Sequence, residues 1–126
     1  MAEYLLREYL TETTVVIGSA GLQALSGHPA DPMVIELLGR RSLDATGHRG
    51  RQITTNLVRE AELILVMEQW QQQELEKNLP QAKGRVFRLG HWQNFNIPDP
   101  YRQGREKFEE SLTLIERGLQ DWLKKL

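Results

Sequence analysis

Asp99 stands between two prolines, in the run Ile97-Pro98-Asp99-Pro100-Tyr101. Each proline fixes its own φ and restricts the residue before it, so Asp99 is offered in a narrow range of backbone conformations. A carboxyl presented that rigidly suits general acid–base work, where a proton moves to or from one defined atom. Asp and Pro also make turns for backbone reasons alone, which is the plainer account of the run. Ser19 and His48 are the second candidates. Each lies in a glycine-flanked loop, Gly18-Ser19-Ala20-Gly21 and Gly47-His48-Arg49-Gly50. Together they could form a polar network around an anion; unrelated loop hydrogen bonding is the simpler reading.

Composition removes several kinds of chemistry. The chain contains no cysteine, which excludes a thiol nucleophile, a disulfide and a thiolate metal site within these residues. His28 and His91 have no ligand spacing to each other or to clustered carboxylates, so no metal is expected. The glycine run at residues 18–21 is followed by no lysine and is not a nucleotide-phosphate loop. Arg40, Arg41, Arg49 and Arg51 read as a solvated face. The three tryptophans read as packing residues, Trp122 by its helical spacing from Ile115 and Leu119. A net charge of -1 gives no field for nucleic acid or a membrane surface. No apolar run is long enough to insert in a membrane, and no leader is visible, so the expected location is the cytoplasm.

The elements that must position these side chains alternate. Residues 2–10 carry a helical stripe at Leu5, Leu6, Tyr9 and Leu10, with no capping side chain before it. Residues 13–17 are a β-branched run and are predicted to form a short strand. Asp31-Pro32 opens a helix, Asp as cap and Pro at the first turn, running to about Arg41. Thr54 or Thr55 caps a short helix reaching Glu60. Residues 63–67 are continuously apolar, as expected of a strand buried on both faces. A polar, glutamine-rich helix spans residues 68–79 and ends at Pro80. Residues 85–89 form a further strand, and residues 90–104 a loop holding Asp99. The last helix, residues 105–123, turns Phe108, Leu112, Leu114, Ile115, Leu119, Trp122 and Leu123 inward. Strands separated by helices imply one α/β domain over residues 1–126, with a parallel sheet and right-handed crossovers. Ligands bind such sheets at the carboxyl ends of the strands, the edge from which residues 18–21, 67–69 and 90–104 leave.

Taken in order, these segments resemble the low-molecular-weight protein-tyrosine phosphatases, most of all the bacterial members paired with tyrosine autokinases of capsule and exopolysaccharide export. The resemblance rests on Met1-Ala2-Glu3-Tyr4-Leu5-Leu6, Ser19-Ala20-Gly21-Leu22, Ala30-Asp31-Pro32, Gly47-His48-Arg49, Leu63-Ile64-Leu65-Val66-Met67-Glu68, Leu89-Gly90-His91-Trp92 and Ile97-Pro98-Asp99-Pro100-Tyr101-Arg102. It implies a three-layer α/β/α fold with sheet order 2-1-3-4. It also implies a cofactor-free reaction, in which a cysteine thiolate in a Cys-x5-Arg-Ser loop attacks phosphotyrosine. The loop's N–H groups and arginine hold the phosphate. By the same resemblance Asp99 protonates the leaving phenolate and then activates water against phosphocysteine. Tyr101 lines the wall for the substrate ring, and Ser19 and His48 support the phosphate loop. The implied partner is a phosphotyrosine protein, a bacterial tyrosine autokinase.

In that family the first strand and the cysteine loop come just before the segment matching Met1. The chain is therefore expected to be a shortened form, with in-frame codons upstream of Met1 encoding an apolar strand and Cys-x5-Arg-Ser-Pro. As written it is expected to be inactive. The alternative is a catalytically dead module that docks to a kinase or its tail. Arsenate reductases share the fold but need further cysteines, which are missing here. The absent strand would be internal to the sheet. Its ladder hydrogen bonds contribute about 0.5–1.5 kcal/mol each and its buried aliphatic side chains about 1.5–3 kcal/mol each. Together these rival the roughly 5–15 kcal/mol of a whole domain. Residues 13–17 would re-pair with residues 63–67, or a gap would remain, or the chain would fold poorly.

Overall fold

The computed structural model describes residues 1–11, 14–22 and 26–126. The helices are α1 (Ala2–Tyr9), α2 (Pro32–Gly39), α3 (Thr55–Glu60), α4 (Gln69–Asn78) and α5 (Arg105–Leu123), with strands β1 (Ile64–Val66) and β2 (Val86–Arg88). Short 3-10 turns fall at Pro80–Ala82 and His91–Gln93. Local chemistry explains the helix starts. The Asp31 carboxylate accepts from the Met33 N–H at 2.8 Å, with Pro32 in the first turn. The Thr54 hydroxyl accepts from the Leu57 N–H at 3.2 Å. At α4, Glu68 and Gln71 form a reciprocal capping box. Each satisfies an N–H group that a helix start leaves without an intrahelical partner. α1 has no side-chain cap.

β1 and β2 pair in parallel, Ile64 opposite Val86 and Val66 opposite Arg88. The faces of this sheet separate two cores. Leu63, Leu65, Met67, Phe87 and Leu89 belong to the larger one, with α1, α2 and the inner face of α5. Ile64, Val66 and Val86 belong to the smaller one, with Val58, Leu75 and Ala82. This is a three-layer arrangement, helices on both faces of a parallel sheet. At the end of β2 the contact is close: a Cβ on Gly118 of α5 would lie 2.7 Å from the Leu89 carbonyl oxygen. The Trp122 indole N–H donates to that same oxygen at 3.0 Å.

Two expectations change. Among residues 13–17, Thr13 lies outside the described residues, and residues 14–17 do not form a strand. They do not pair with β1, and Val16 is 97% exposed. A β-branched run becomes a strand only where another strand exchanges hydrogen bonds with it, and among the described residues none lies alongside. Of the three tryptophans, only Trp122 is a core residue. Trp92 packs edge-on against it at 5.4 Å and is 45% exposed, and Trp70 is 54% exposed. No helix among the described residues is long and apolar enough to cross a membrane.

Candidate active site

Three successive residues before Asp99 are tied to three different elements. The Asn96 side-chain carbonyl accepts from the Gln69 N–H at the start of α4, at 3.0 Å. The Ile97 N–H donates to the Met67 carbonyl just after β1, at 2.9 Å. The Ser111 hydroxyl, on the buried face of α5, donates to the Pro98 carbonyl at 3.0 Å. Ile97 is itself buried. The loop thus reaches Asp99 with its path fixed, and the two prolines fix what remains. Asp99 Oδ1 then accepts from the Tyr101 N–H at 3.0 Å, an Asx turn. Its other oxygen has no partner among the described residues. A carboxyl in this position is held by one oxygen and has the other available to exchange a proton.

Asp99 opens on a cleft of about 330 Å³. Its apolar lining includes the core residues Ile97, Phe108 and Ile115 and, at the start of α1, Met1 and Ala2. Pro98, Pro100 and Tyr101 line it as well. The Tyr101 ring is 52% exposed, with the Arg102 guanidinium 5.1 Å from its centroid. The polar lining is acidic: Asp31, Glu68 and Asp99, with no Arg, Lys or His side chain among the lining residues.

Ser19 and His48 are not brought to Asp99. The Ser19 hydroxyl donates to Glu3 of α1. Glu3 also pairs with Arg7 at 2.9 Å, and Arg7 donates to the Ile17 carbonyl at 2.6 Å. The His48 ring meets Tyr4 edge-on at 5.9 Å. Both therefore pack against the opening turn of α1, whose Met1 and Ala2 line the cleft, while neither lines it itself.

Ser111, Asn96 and Gln71 were not singled out in the sequence. Gln71 accepts from the Met67 and Glu68 N–H groups at 2.9 and 3.0 Å and so holds the strand end at the cleft. Ser111 did leave a signal: a hydroxyl on the same face as Phe108, Leu112 and Ile115 needs a partner when buried. The other two residues carry no such mark.

A low-molecular-weight phosphotyrosine protein phosphatase family model matches residues 1–126. The chain belongs to the low-molecular-weight protein-tyrosine phosphatase family. It is 44% identical over its whole length to a probable low-molecular-weight protein-tyrosine-phosphatase, EpsP, of Ralstonia nicotianae, covering 86% of that protein. It is 43% identical to the low-molecular-weight protein-tyrosine-phosphatase Wzb of Escherichia coli K12, over 99% of this chain and 84% of that one. Among solved structures, Vibrio vulnificus Wzb in complex with benzylphosphonate superposes with a TM-score of 0.91 at 38% identity. That match covers 99% of this chain and 88% of the other. The tyrosine phosphatase Wzb of Escherichia coli K30 in complex with sulphate gives a TM-score of 0.90 at 37% identity, over 98% and 86%. The α/β fold and the membership of this family, with its bacterial exopolysaccharide-linked members, expected from the sequence are borne out. Within this phosphatase fold, the Asp99 turn and the acidic cleft lie at the carboxyl end of β1, the edge where parallel sheets bind ligands.

Proposed function

We propose that Asp99 is the general acid and base of a phosphotyrosine phosphatase whose nucleophile and phosphate-holding arginine lie in a strand and loop that these 126 residues do not contain. The 126-residue chain alone does not turn over. The observation that carries this reading is the cleft itself. It has one anchored carboxyl with a free oxygen, two further carboxylates, and no cysteine and no cationic side chain. A phosphate monoester carries negative charge into its site, and catalysis of its hydrolysis depends on donors and cations aimed at that charge. This lining supplies a proton donor and repels the group to be cleaved.

A cysteine thiolate forms the S–P bond as the P–O bond to tyrosine breaks, and the Asp99 proton passes to the departing phenolate oxygen. Asp99, now a carboxylate, takes a proton from water as that water attacks phosphorus, the S–P bond breaks, and phosphate leaves. Tyr101 flanks the substrate ring. Ser19 and His48 act at a distance by holding the α1 turn against which the phosphate loop sits. The substrate class is a phosphotyrosine protein, and the partner we assign is a bacterial tyrosine autokinase of polysaccharide export. The similarity to EpsP and Wzb supports that assignment.

The test compares two proteins on an aryl phosphate. The 126-residue chain should show no turnover above background. The same chain preceded by an apolar strand and a Cys-x5-Arg-Ser loop should turn over, and a Cys→Ser change there should abolish it. Vanadate-sensitive turnover that follows the 126-residue chain through purification would refute the reading, as would an inert extended protein that is folded. A docking module for phosphotyrosine tails would need a cation in the cleft, which the lining does not offer.

A further inference from the structure

Arg88 is the last residue of β2, at the start of the loop that leads to Asp99. Its guanidinium forks over two asparagine side chains of that loop. Nη2 donates to Asn94 Oδ1 at 2.5 Å, and Nη1 donates to Asn96 Oδ1 at 3.1 Å. The chain between leaves the sheet and returns to its own base. It makes the 3-10 turn at His91–Gln93 and then reverses at Asn94, which stands in the left-handed region at φ 55°. Asparagine enters that region more readily than most residues with a side chain. The Phe95 N–H closes the excursion by donating to the Gly90 carbonyl at 3.1 Å. Position 90 must be glycine for this return, because a Cβ there would run into the Phe95 carbonyl oxygen.

A guanidinium can only donate, so both asparagines must turn their oxygens toward it. That orients the Asn96 amide, and the same oxygen then accepts from the Gln69 N–H at 3.0 Å. One oxygen is thus held between the end of β2 and the start of α4. The next residue, Ile97, donates to the Met67 carbonyl at 2.9 Å, and Asp99 follows two residues on. Arg88 does not line the cleft; it reaches the acid through Asn96. Two acceptors taken at once suit the planar fork of arginine, which the single ammonium of lysine does not reproduce.

We propose that Arg88 is a positioning residue for the general acid: by clamping Asn94 and Asn96 it fixes the point from which the loop presents Asp99. The inference rests on the function proposed above and names the residue that sets the acid's approach to the leaving group. Misplacing a reacting group by about 1 Å can cost about 10²-fold in rate. The Met67 and Ser111 anchors remain when the clamp is lost, so a smaller displacement and a loss of about tenfold are expected.

Two measurements test this. The first is amide hydrogen exchange, followed by NMR in the 126-residue chain and in the chain extended by its cysteine loop. Arg88→Met keeps the apolar stem and removes the fork. It should speed exchange of the Gln69 amide about tenfold, the scale of one lost hydrogen bond, while the Leu89 amide, which donates to Val66 in the ladder, keeps its rate. The second is steady-state kinetics of the extended protein. Arg88→Met should lower kcat on a phosphotyrosine peptide about tenfold, with KM and the kcat on an aryl phosphate with an acidic leaving group each within about twofold. Asn96→Ala should do the same, and Arg88→Met added to it should cost little more, because the two residues act as one unit. Asn96→Asp, which keeps an acceptor for both donors, should lose less than Asn96→Ala. Arg88→Lys, which reaches one asparagine, should fall between arginine and methionine, and it carries the same comparisons if Arg88→Met fails to fold. Unchanged Gln69 exchange would overturn the proposal. So would equal losses on both substrate types, or additive losses in the double variant, either of which would make Arg88 a stability residue. A folded but inert extended protein, with Gln69 exchange still dependent on Arg88, would refute the phosphatase reading and support the clamp. Turnover that is indifferent to Arg88 would overturn this inference alone.

Discussion

Asp99→Asn in the protein extended by its cysteine loop isolates the proton. The Asx turn uses one carboxylate oxygen, Oδ1, to accept from the Tyr101 N–H at 3.0 Å, and the asparagine carbonyl accepts the same bond. The anchors at Asn96, Ile97 and Pro98 involve no Asp99 atom. The loop should therefore keep its path, and the substitution removes only an acidic proton at the other oxygen. A phenol has a pKa of about 10, so an unprotonated tyrosine leaves poorly. A positioned general acid contributes about 10²–10⁴-fold, or roughly 3–5 kcal/mol of barrier. We expect kcat on a phosphotyrosine peptide to fall by that factor with KM little changed, since the loop holds the phosphate. The loss should shrink with aryl phosphates whose leaving groups are already acidic. The fall of kcat at high pH that comes from losing the acid's proton should disappear. Steady-state kinetics across a leaving-group series and across pH measures all three. If kcat on phosphotyrosine stays within twofold, Asp99 is a turn residue and the assignment fails.

Other substitutions read out other parts of the structure. Ser111→Ala removes the hydroxyl that holds Pro98 and should cost about 1 kcal/mol in stability; in the extended protein it should lower kcat on phenolic substrates more than on those with acidic leaving groups, because it loosens the acid. Equal losses on both substrate types would refute a positioning role. Gly118→Ala forces a methyl against the Leu89 carbonyl and should destabilise by about 1–3 kcal/mol in urea unfolding, whereas no shift in midpoint would mean α5 can move away. Asp31→Ala should cost about 1 kcal/mol through lost capping of α2, with kcat in the extended protein nearly unchanged, and a large kcat effect would move the acid role toward Asp31. The Asp44 carboxylate accepts from the Thr46 hydroxyl and N–H at 2.6 and 2.9 Å, and these bonds hold it below the usual aspartate range. The turn leading to His48 should thus be stable above the ordinary aspartate value and loosen as pH falls through the lower folded one. The Thr46 amide shift followed by NMR should track that change, and a flat titration would refute it.

What could be read from the sequence was what depends on neighbours along the chain. Asp31-Pro32 and Thr54 act within a few residues, and both cap as expected. The stripe at Phe108, Leu112, Ile115, Leu119 and Trp122 is set by helical period, and those residues are the buried face of α5. Both strands lie within the segments expected for them, residues 63–67 and 85–89, but shrink to three residues each. Their ends are used otherwise: the Met67 N–H goes to Gln71 and the Leu89 carbonyl to Trp122. Residues 14–17 failed as a strand because strand formation is a property of a pair, and β propensity says nothing of the partner. The destinations of Ser19 and His48 were hidden for the same reason. Glu3 and Tyr4 of α1 capture them across many residues, and nothing local marks either contact.

The position of Asp99 is set by β1, α4 and α5, through Met67, Gln69 and Ser111. The apolar cleft residues Ile97, Phe108 and Ile115 belong to the main core, so the same packing that buries them holds the turn that carries Asp99. Under the phosphatase reading proposed above, a thiolate, a cation and donors for phosphate must come from outside this lining, because its charged side chains are Asp31, Glu68 and Asp99 and it holds no Arg, Lys, His or Cys.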